Sequence, residues 1–196
     1  MEITDKQIVI ITGGAGKLGL LAADWCLSKG ARVVLIDHNK LSLTAAKKKL
    51  GNSKLDCIVA DVTRTDDTKR YVNEIERKFG KIDIYIHCVG TQALLRPVVE
   101  IPEQDFLFNK HLSFTGIWLA CQYVLPAINK GGQFFIISSN PRRRKPIDED
   151  TPFEDKQQVN ALVKTFSMVS DARSIRMHTV EPSEFEGVLL PVTMNF

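Results

Sequence analysis

Short runs rich in Ile and Val alternate with longer segments of helical period along most of the chain. The apolar runs at 8–12, 32–36, 55–60, 82–88, 133–138 and 175–180 are too short for buried helices, and they match parallel strands covered on both faces. Between them, the segments at 17–29, 40–50, 65–79, 102–128 and 155–170 repeat their apolar positions every three to four residues and read as helices. Thr65-Asp66-Asp67 is good chemistry for a helix start, and Gly30 and Gly80 stand where the first and third helices should stop. Six strands separated by five helical segments predict a single α/β domain over 1–196. Its three layers are built on a doubly wound parallel sheet of order 3-2-1-4-5-6, with ligands at the carboxyl ends of the strands.

Two stretches break the alternation. Residues 140–154 form a charged, proline-punctuated segment in which Arg142-Arg143-Arg144-Lys145 is followed by Asp148-Glu149-Asp150. A solvated loop with compensating charges accounts for it; a contact with an acidic partner or a nucleic-acid phosphate is the alternative. Residues 181–196 lack periodicity but carry Val188, Leu189, Leu190, Val192, Met194 and Phe196, an apolar tail expected to fold onto the body or into a partner subunit.

Composition narrows the classes of partner. The 196 residues are 44% hydrophobic and 25% charged, with a net charge of +3, too small to mark a nucleic-acid binder or a membrane-surface protein. No apolar run approaches the ~20 residues of a membrane span. Met1-Glu2-Ile3-Thr4-Asp5-Lys6 has no signal-peptide character, so a cytoplasmic location is expected. Cys26, Cys57, Cys88 and Cys121 lie far apart in strand-like and helix-like runs and read as reduced core residues, with no metal site.

The first strand leads directly into Thr12-Gly13-Gly14-Ala15-Gly16-Lys17-Leu18-Gly19 and then a helix. Glycines at 13, 16 and 19 would provide a tight turn, room for phosphates and close packing of helix on strand. The helix start offers free N–H groups and the positive end of its dipole. The second strand runs into Asp37, a little under ~20 residues past Gly19, where a carboxylate hydrogen-bonds an adenosine ribose. Together these make a Rossmann-type dinucleotide-binding unit; a plain glycine turn with a surface Asp is the alternative. The carboxylate would repel the 2′-phosphate of NADP, so NAD is the expected cofactor and NADP the second choice. Lys17 either offsets part of that repulsion or faces solvent.

With these residues in place, the chain resembles the short-chain dehydrogenase/reductase family over almost its whole length. The glycine spacing is similar to that of the family's extended branch. Asp61-Val62 resembles the family's Asp-Val pair, whose aspartate contacts the adenine. His87-Cys88-Val89-Gly90 stands where the family has Asn-Asn-Ala-Gly, which puts Val89 and Gly90 beside the cofactor. In Leu112-Ser113-Phe114-Thr115-Gly116-Ile117-Trp118, Ser113 occupies the place of a structural, proton-relay asparagine. Ile136-Ile137-Ser138-Ser139 resembles the strand that delivers the catalytic serine, here Ser139. Lys156 matches the catalytic lysine, which also binds the nicotinamide ribose, and Pro182 matches the proline beside the nicotinamide pocket. The stripe Val159, Leu162, Val163 and Phe166 would by itself read as helix packing. Family members pair through two long helices, here about 106–127 and 156–169, which implies a homodimer.

The resemblance fails at one chemically decisive place. The family's catalytic tyrosine stands four residues before the lysine, and that position is Pro152. Hydride transfer to a carbonyl needs a proton donor at the developing alkoxide, and proline has no proton to give. Tyr71, Tyr85 and Tyr123 fall in two helices and a strand, away from the expected site. Ser113 for asparagine, the altered Asn-Asn-Ala-Gly run and Glu181-Pro182-Ser183 for Pro-Gly change the site further. Three readings stay open. One is an NAD-dependent oxidoreductase of weak activity on an alcohol or carbonyl substrate, with Ser139 orienting it. Another is a non-catalytic NAD-sensing or structural subunit. The most remote is a protein that binds an acidic partner through Arg142 to Lys145.

Overall fold

The computed structural model describes residues 3–90, 98–137 and 156–180. Its elements run β1 (Ile8–Thr12), α1 (Lys17–Ser28), β2 (Arg32–Asp37), α2 (Lys40–Leu50), β3 (Leu55–Val59), α3 (Thr65–Phe79), β4 (Ile82–His87), α4 (Glu103–Lys110), α5 (Gly116–Leu119), β5 (Ile128–Ile137), α6 (Lys156–Ala172) and β6 (Arg176–Val180). The six strands form one parallel sheet in the order β3-β2-β1-β4-β5-β6, as expected from the alternation.

The apolar strands are explained by what lies on each face. In β1, Val9 and Ile11 pack with Ala22, Ala23 and Cys26 of α1 and Leu43 of α2. Ile10 points the other way, into a cluster with Tyr71 and Ile75 of α3, Ile117 of α5 and Val159 and Leu162 of α6. Both faces of β1 are dry, so its positions 9–11 want apolar side chains, and each fully buried Ile or Val contributes roughly 1.5–3 kcal/mol.

Local chemistry sets the element ends. Asn39 caps α2 by accepting from the N–H of Ser42 at 3.0 Å, and Gly51, with φ of 54°, ends that helix in the left-handed region. The Asp83 carboxylate ties three strands together at their amino ends. It accepts from the N–H of Ile8 (2.8 Å) and from the side-chain amide of Asn129 (2.7 Å). The Arg173 guanidinium donates to the carbonyls of Leu125 (3.0 Å) and Ile128 (2.9 Å), satisfying the end of the long helical segment.

That segment is not the single helix expected for 102–128. It passes from α4 through a wide π turn (His111–Thr115), α5, a second π turn (Ala120–Val124) and a 3₁₀ turn (Leu125–Ala127). Pro126 lacks the N–H that would continue the ladder, so the chain tightens and enters β5 at Ile128, which pairs with Ile82. A short 3₁₀ turn at Val98–Glu100 was not expected.

All four cysteines are free thiols. Burial pushes Cys26 and Cys121 up to about 12, so they stay protonated. Among the described residues, no cluster of His, Cys, Asp or Glu could hold a metal, and no helix is long and apolar enough to cross a membrane.

Candidate functional site

β1 lies between β2 and β4, so its carboxyl end is the point at which the strand order reverses. The glycine turn leaves the sheet there. Gly13 has φ of 65°, and a Cβ on it would fall 2.8 Å from the Cys88 carbonyl oxygen. A Cβ on Gly14 would lie 2.8 Å from the Leu35 side chain, and one on Gly19 would lie 2.7 Å from the Gly14 Cα. Gly14 is therefore as demanding as Gly13 and Gly19. Gly16 is less so, because its nearest clash would be 3.2 Å from the Gly13 carbonyl oxygen. The constraint on Gly14 comes from the Leu35 side chain of β2 and the Ile11 carbonyl oxygen of β1, and the first of these is a neighbour that sequence spacing does not reveal.

Amide accounting identifies what the turn can hold. Gly14 donates to the Ile36 carbonyl (3.0 Å) and Gly16 to that of Gly13 (3.0 Å), while Ala15 donates to Asp37 Oδ2 (3.2 Å). The first helical bond of α1 runs from Leu20 to Gly16. The N–H groups of Lys17, Leu18 and Gly19 therefore have no intrahelical acceptor. Among the described residues no side chain caps them, and no acidic residue stands in the first turn. Bare donors at the positive end of a helix, with backbone approach kept open by glycine, suit a pyrophosphate.

Asp37 ends β2 beside this turn. Its Oδ1 accepts from the Asn39 N–H (3.1 Å) and stands 3.3 Å from His38 Nδ1. Beyond β3, Asp61 Oδ1 accepts from both the N–H and the hydroxyl of Thr63, at 2.9 and 2.7 Å. The Asp61 N–H donates to Asp67, and this bond together with Arg70 holds the Asp67 carboxyl below its ordinary value. Val62 is a core residue packed toward Gly116. Val89 is half-buried and Gly90 exposed, just past the end of β4. Ser113 lies half-buried in the first π turn, and Lys156 is the first residue of α6. Ser139, Pro152, Pro182 and the Arg142 to Lys145 run lie outside the described residues.

The structure adds a polar cluster beneath the turn. Thr12 Oγ1 lies 3.0 Å from His87 Nδ1 and 3.3 Å from the Tyr85 hydroxyl, which is 3.2 Å from the same nitrogen. All three residues are fully buried, and His87 Nε2 has no partner among the described residues. Burial lowers the His87 pKa to about 4 and drives Tyr71 and Tyr85 well above the ordinary tyrosine value. Tyr85 lies in β4 and touches Thr12, the first residue of the turn. Burial holds both Tyr71 and Tyr85 in the protonated form. Positions 85 and 87 share one face of β4, and Thr12 lies opposite His87 across the ladder, a register that spacing in the sequence does not give.

The chain is similar to known proteins in sequence and in fold. Residues 14–187 match the family model described as Enoyl-(Acyl carrier protein) reductase. The chain is 24% identical over 177 residues to an L-fucose dehydrogenase of Oryctolagus cuniculus, covering 90% of this chain and 62% of that protein. It is 32% identical over 139 residues to a cis-2,3-dihydrobiphenyl-2,3-diol dehydrogenase of Paraburkholderia xenovorans (strain LB400), covering 68% of this chain and 50% of that one. The chain thus spans only about half to three-fifths of these relatives' lengths. Among solved structures, the NAD⁺-bound xylitol dehydrogenase superposes with a TM-score of 0.80 at 23% identity, covering 93% of this chain and 71% of that one. A metagenomic short-chain oxidoreductase in complex with NADP gives 0.78 at 18% identity, covering 93% and 84%.

Proposed function

The chain belongs to the short-chain dehydrogenase/reductase family, and from that premise we propose that it binds NAD in preference to NADP and turns over an alcohol or carbonyl substrate weakly at most. The uncapped amino end of α1 carries this reading. Lys17, Leu18 and Gly19 present three backbone donors to the pyrophosphate, and Gly13, Gly14 and Gly19 keep the backbone close enough to reach it. Asp37 would accept from the adenosine ribose hydroxyls and oppose a 2′-phosphate. The xylitol dehydrogenase was solved with NAD⁺ and the metagenomic oxidoreductase with NADP, so kinship alone leaves the choice between them to such local charges.

A nicotinamide held at this site would supply or accept the hydride. The protein's part is to hold the substrate oxygen and move its proton. Ser139 and Lys156, by family resemblance, orient substrate and nicotinamide ribose, but Pro152 supplies no proton. A missing general acid typically costs ~10²–10⁴-fold in rate. That loss favours an NAD-responsive subunit over an efficient enzyme.

Titration of NADH, followed by its fluorescence and by the melting temperature, tests the binding step; saturable stabilisation is expected. Turnover with a panel of secondary alcohols and ketones should then be barely detectable, and Pro152→Tyr should raise it by ~10²-fold or more. A variant that binds NADH as well as the parent yet gains no turnover would leave a binding module alone.

Pairing with a second copy through the long helical segment completes the reading. No residue of α4 is buried, and Phe106, Leu107 and Phe108 are 49%, 52% and 64% exposed, continuing toward Phe114 and Trp118. Glu103 and Asp105 open α4 and Lys110 closes it, so two antiparallel copies would set acids against bases around an apolar centre. Leu107→Glu with Phe108→Glu should convert a dimer to a monomer in light scattering at tens of micromolar without altering NADH binding. A parent protein already monomeric there would remove this part of the proposal.

A further inference from the structure

Each helix returns the chain to the amino end of the next strand, so the carboxyl ends of α1, α2 and α3 gather at the end of the sheet opposite the glycine turn. Exposed cations collect there: Lys29 just past α1, Lys47, Lys48 and Lys49 in the last turn of α2, and Arg77 and Lys78 in that of α3. Cations suit a helix carboxyl end, but the dipole offsets only roughly half a charge at each. Lys6, Arg32, Lys54 and Lys81 stand at the same end on strand starts or connecting turns, where no helix dipole calls for them.

The acids at this end leave most of that charge unopposed. Asp56 is shared by Arg32 Nη1 (3.1 Å) and Lys78 Nζ (2.6 Å), and Asp83 is held by the Ile8 N–H and the Asn129 amide. Among the described residues, Asp5 and Glu76 are the other carboxylates in these last helical turns, connecting turns and strand starts. The net charge of +3 for the whole chain therefore conceals a strongly basic end. Lys6, Arg32, Ser53 and Lys78 line an open cleft there of about 650 Å³, wide enough for a phosphate group.

We propose that this basic end binds the phosphodiester backbone of a nucleic-acid strand, through charge alone and without reading its bases. None of the exposed large apolar side chains among the described residues stands in these helix ends or connecting turns. A stable protein interface centres on an apolar or aromatic core, and lasting membrane attachment adds an apolar or lipid anchor to basic charge. A phosphodiester chain is held by cations without either. Phe79, on the wall of the cleft, has Arg32 Cζ and Lys78 Nζ each 4.8 Å from its ring centre, so cations stand where a base would stack.

Fluorescence anisotropy of a labelled oligouridylate, long enough to span the basic end, tests this with the full chain at neutral pH. Affinity should fall about 100-fold between about 50 and 200 mM salt, the loss that roughly five engaged phosphates give at a slope of about −0.7 each. A variant combining Lys29→Gln, Lys49→Gln, Arg77→Gln and Lys81→Gln, all at exposed positions remote from the glycine turn, should bind at least about tenfold more weakly at low salt and with a flatter salt dependence. Its circular dichroism and NADH titration should match the parent's. Changing Arg142, Arg143, Arg144 and Lys145 together to Gln should leave oligonucleotide binding within about twofold of the parent's. No binding by the parent at low salt, undiminished binding by the four-position variant, or loss of binding only in the variant at 142–145 would each overturn the proposal. So would tighter binding to polyglutamate, or to vesicles of phosphatidylserine and phosphatidylcholine, than to the oligonucleotide.

Discussion

Alanine at Gly19 is expected to lower dinucleotide affinity at least about tenfold and to destabilise the fold by roughly 1–3 kcal/mol, the usual cost of forcing extra carbon into a packed site. The added Cβ would run into the Gly13 carbonyl oxygen and stand 2.7 Å from the Gly14 Cα. Both obstacles are backbone, so no side-chain rotation relieves them. The first turn of α1 must move off β1, carrying the N–H groups of Lys17 and Leu18 away from the pyrophosphate and loosening Ala22, Ala23 and Cys26 from Val9 and Ile11. Gly16→Ala meets only the Gly13 carbonyl oxygen, at 3.2 Å, and should cost the fold less. NADH titration and denaturant midpoints on both variants check this. A Gly19→Ala protein with unchanged midpoint and affinity would refute the close-packed turn.

Acidification from pH 7 to 4 is expected to remove about 3 kcal/mol of stability through His87 alone. The folded-state pKa is lowered from 6.5 to about 4 by burial. The unfolded chain therefore takes up this proton first, and between those values it binds more protons than the folded one. Stability accordingly falls as pH drops through that window and levels off below it, with no contribution above pH 6.5; the size comes from ~1.36 kcal/mol per pKa unit. Carboxylates titrate in the lower part of the same range, so the quantity to measure is the difference from His87→Asn. That variant loses ring packing against Gly116 and is less stable at pH 7, and the gap should narrow by about 3 kcal/mol on going to pH 4. Parallel pH profiles from urea melts would show that His87 is not the buried neutral imidazole described.

The sheet order, the glycine turn and the Asp37 position were legible in the sequence because each is written in consecutive residues. A strand covered on both faces must be a short apolar run, and a turn that admits phosphates must spend glycines in one place. The breakdown of the 102–128 helix into α, π and 3₁₀ turns was not legible. Apolar spacing of three and four residues fits all three geometries nearly alike, and only pairing with Ile82 assigns Ile128 to a strand. The role of Gly14 was hidden because its neighbour, Leu35, stands on the next strand.

By itself, then, the sequence determined the layered parallel architecture, the glycine turn between the first strand and the first helix, and the absence of a tyrosine at position 152, since these depend on local pattern and residue identity. Only the tertiary structure decided that Thr12, Tyr85 and His87 share a dry pocket, that Asp37 already holds the Ala15 N–H, and that α4 leaves its phenylalanines uncovered. The physical reason is that desolvation and hydrogen-bond satisfaction belong to the space around a group. Residues distant in sequence fill that space, and no local pattern records it.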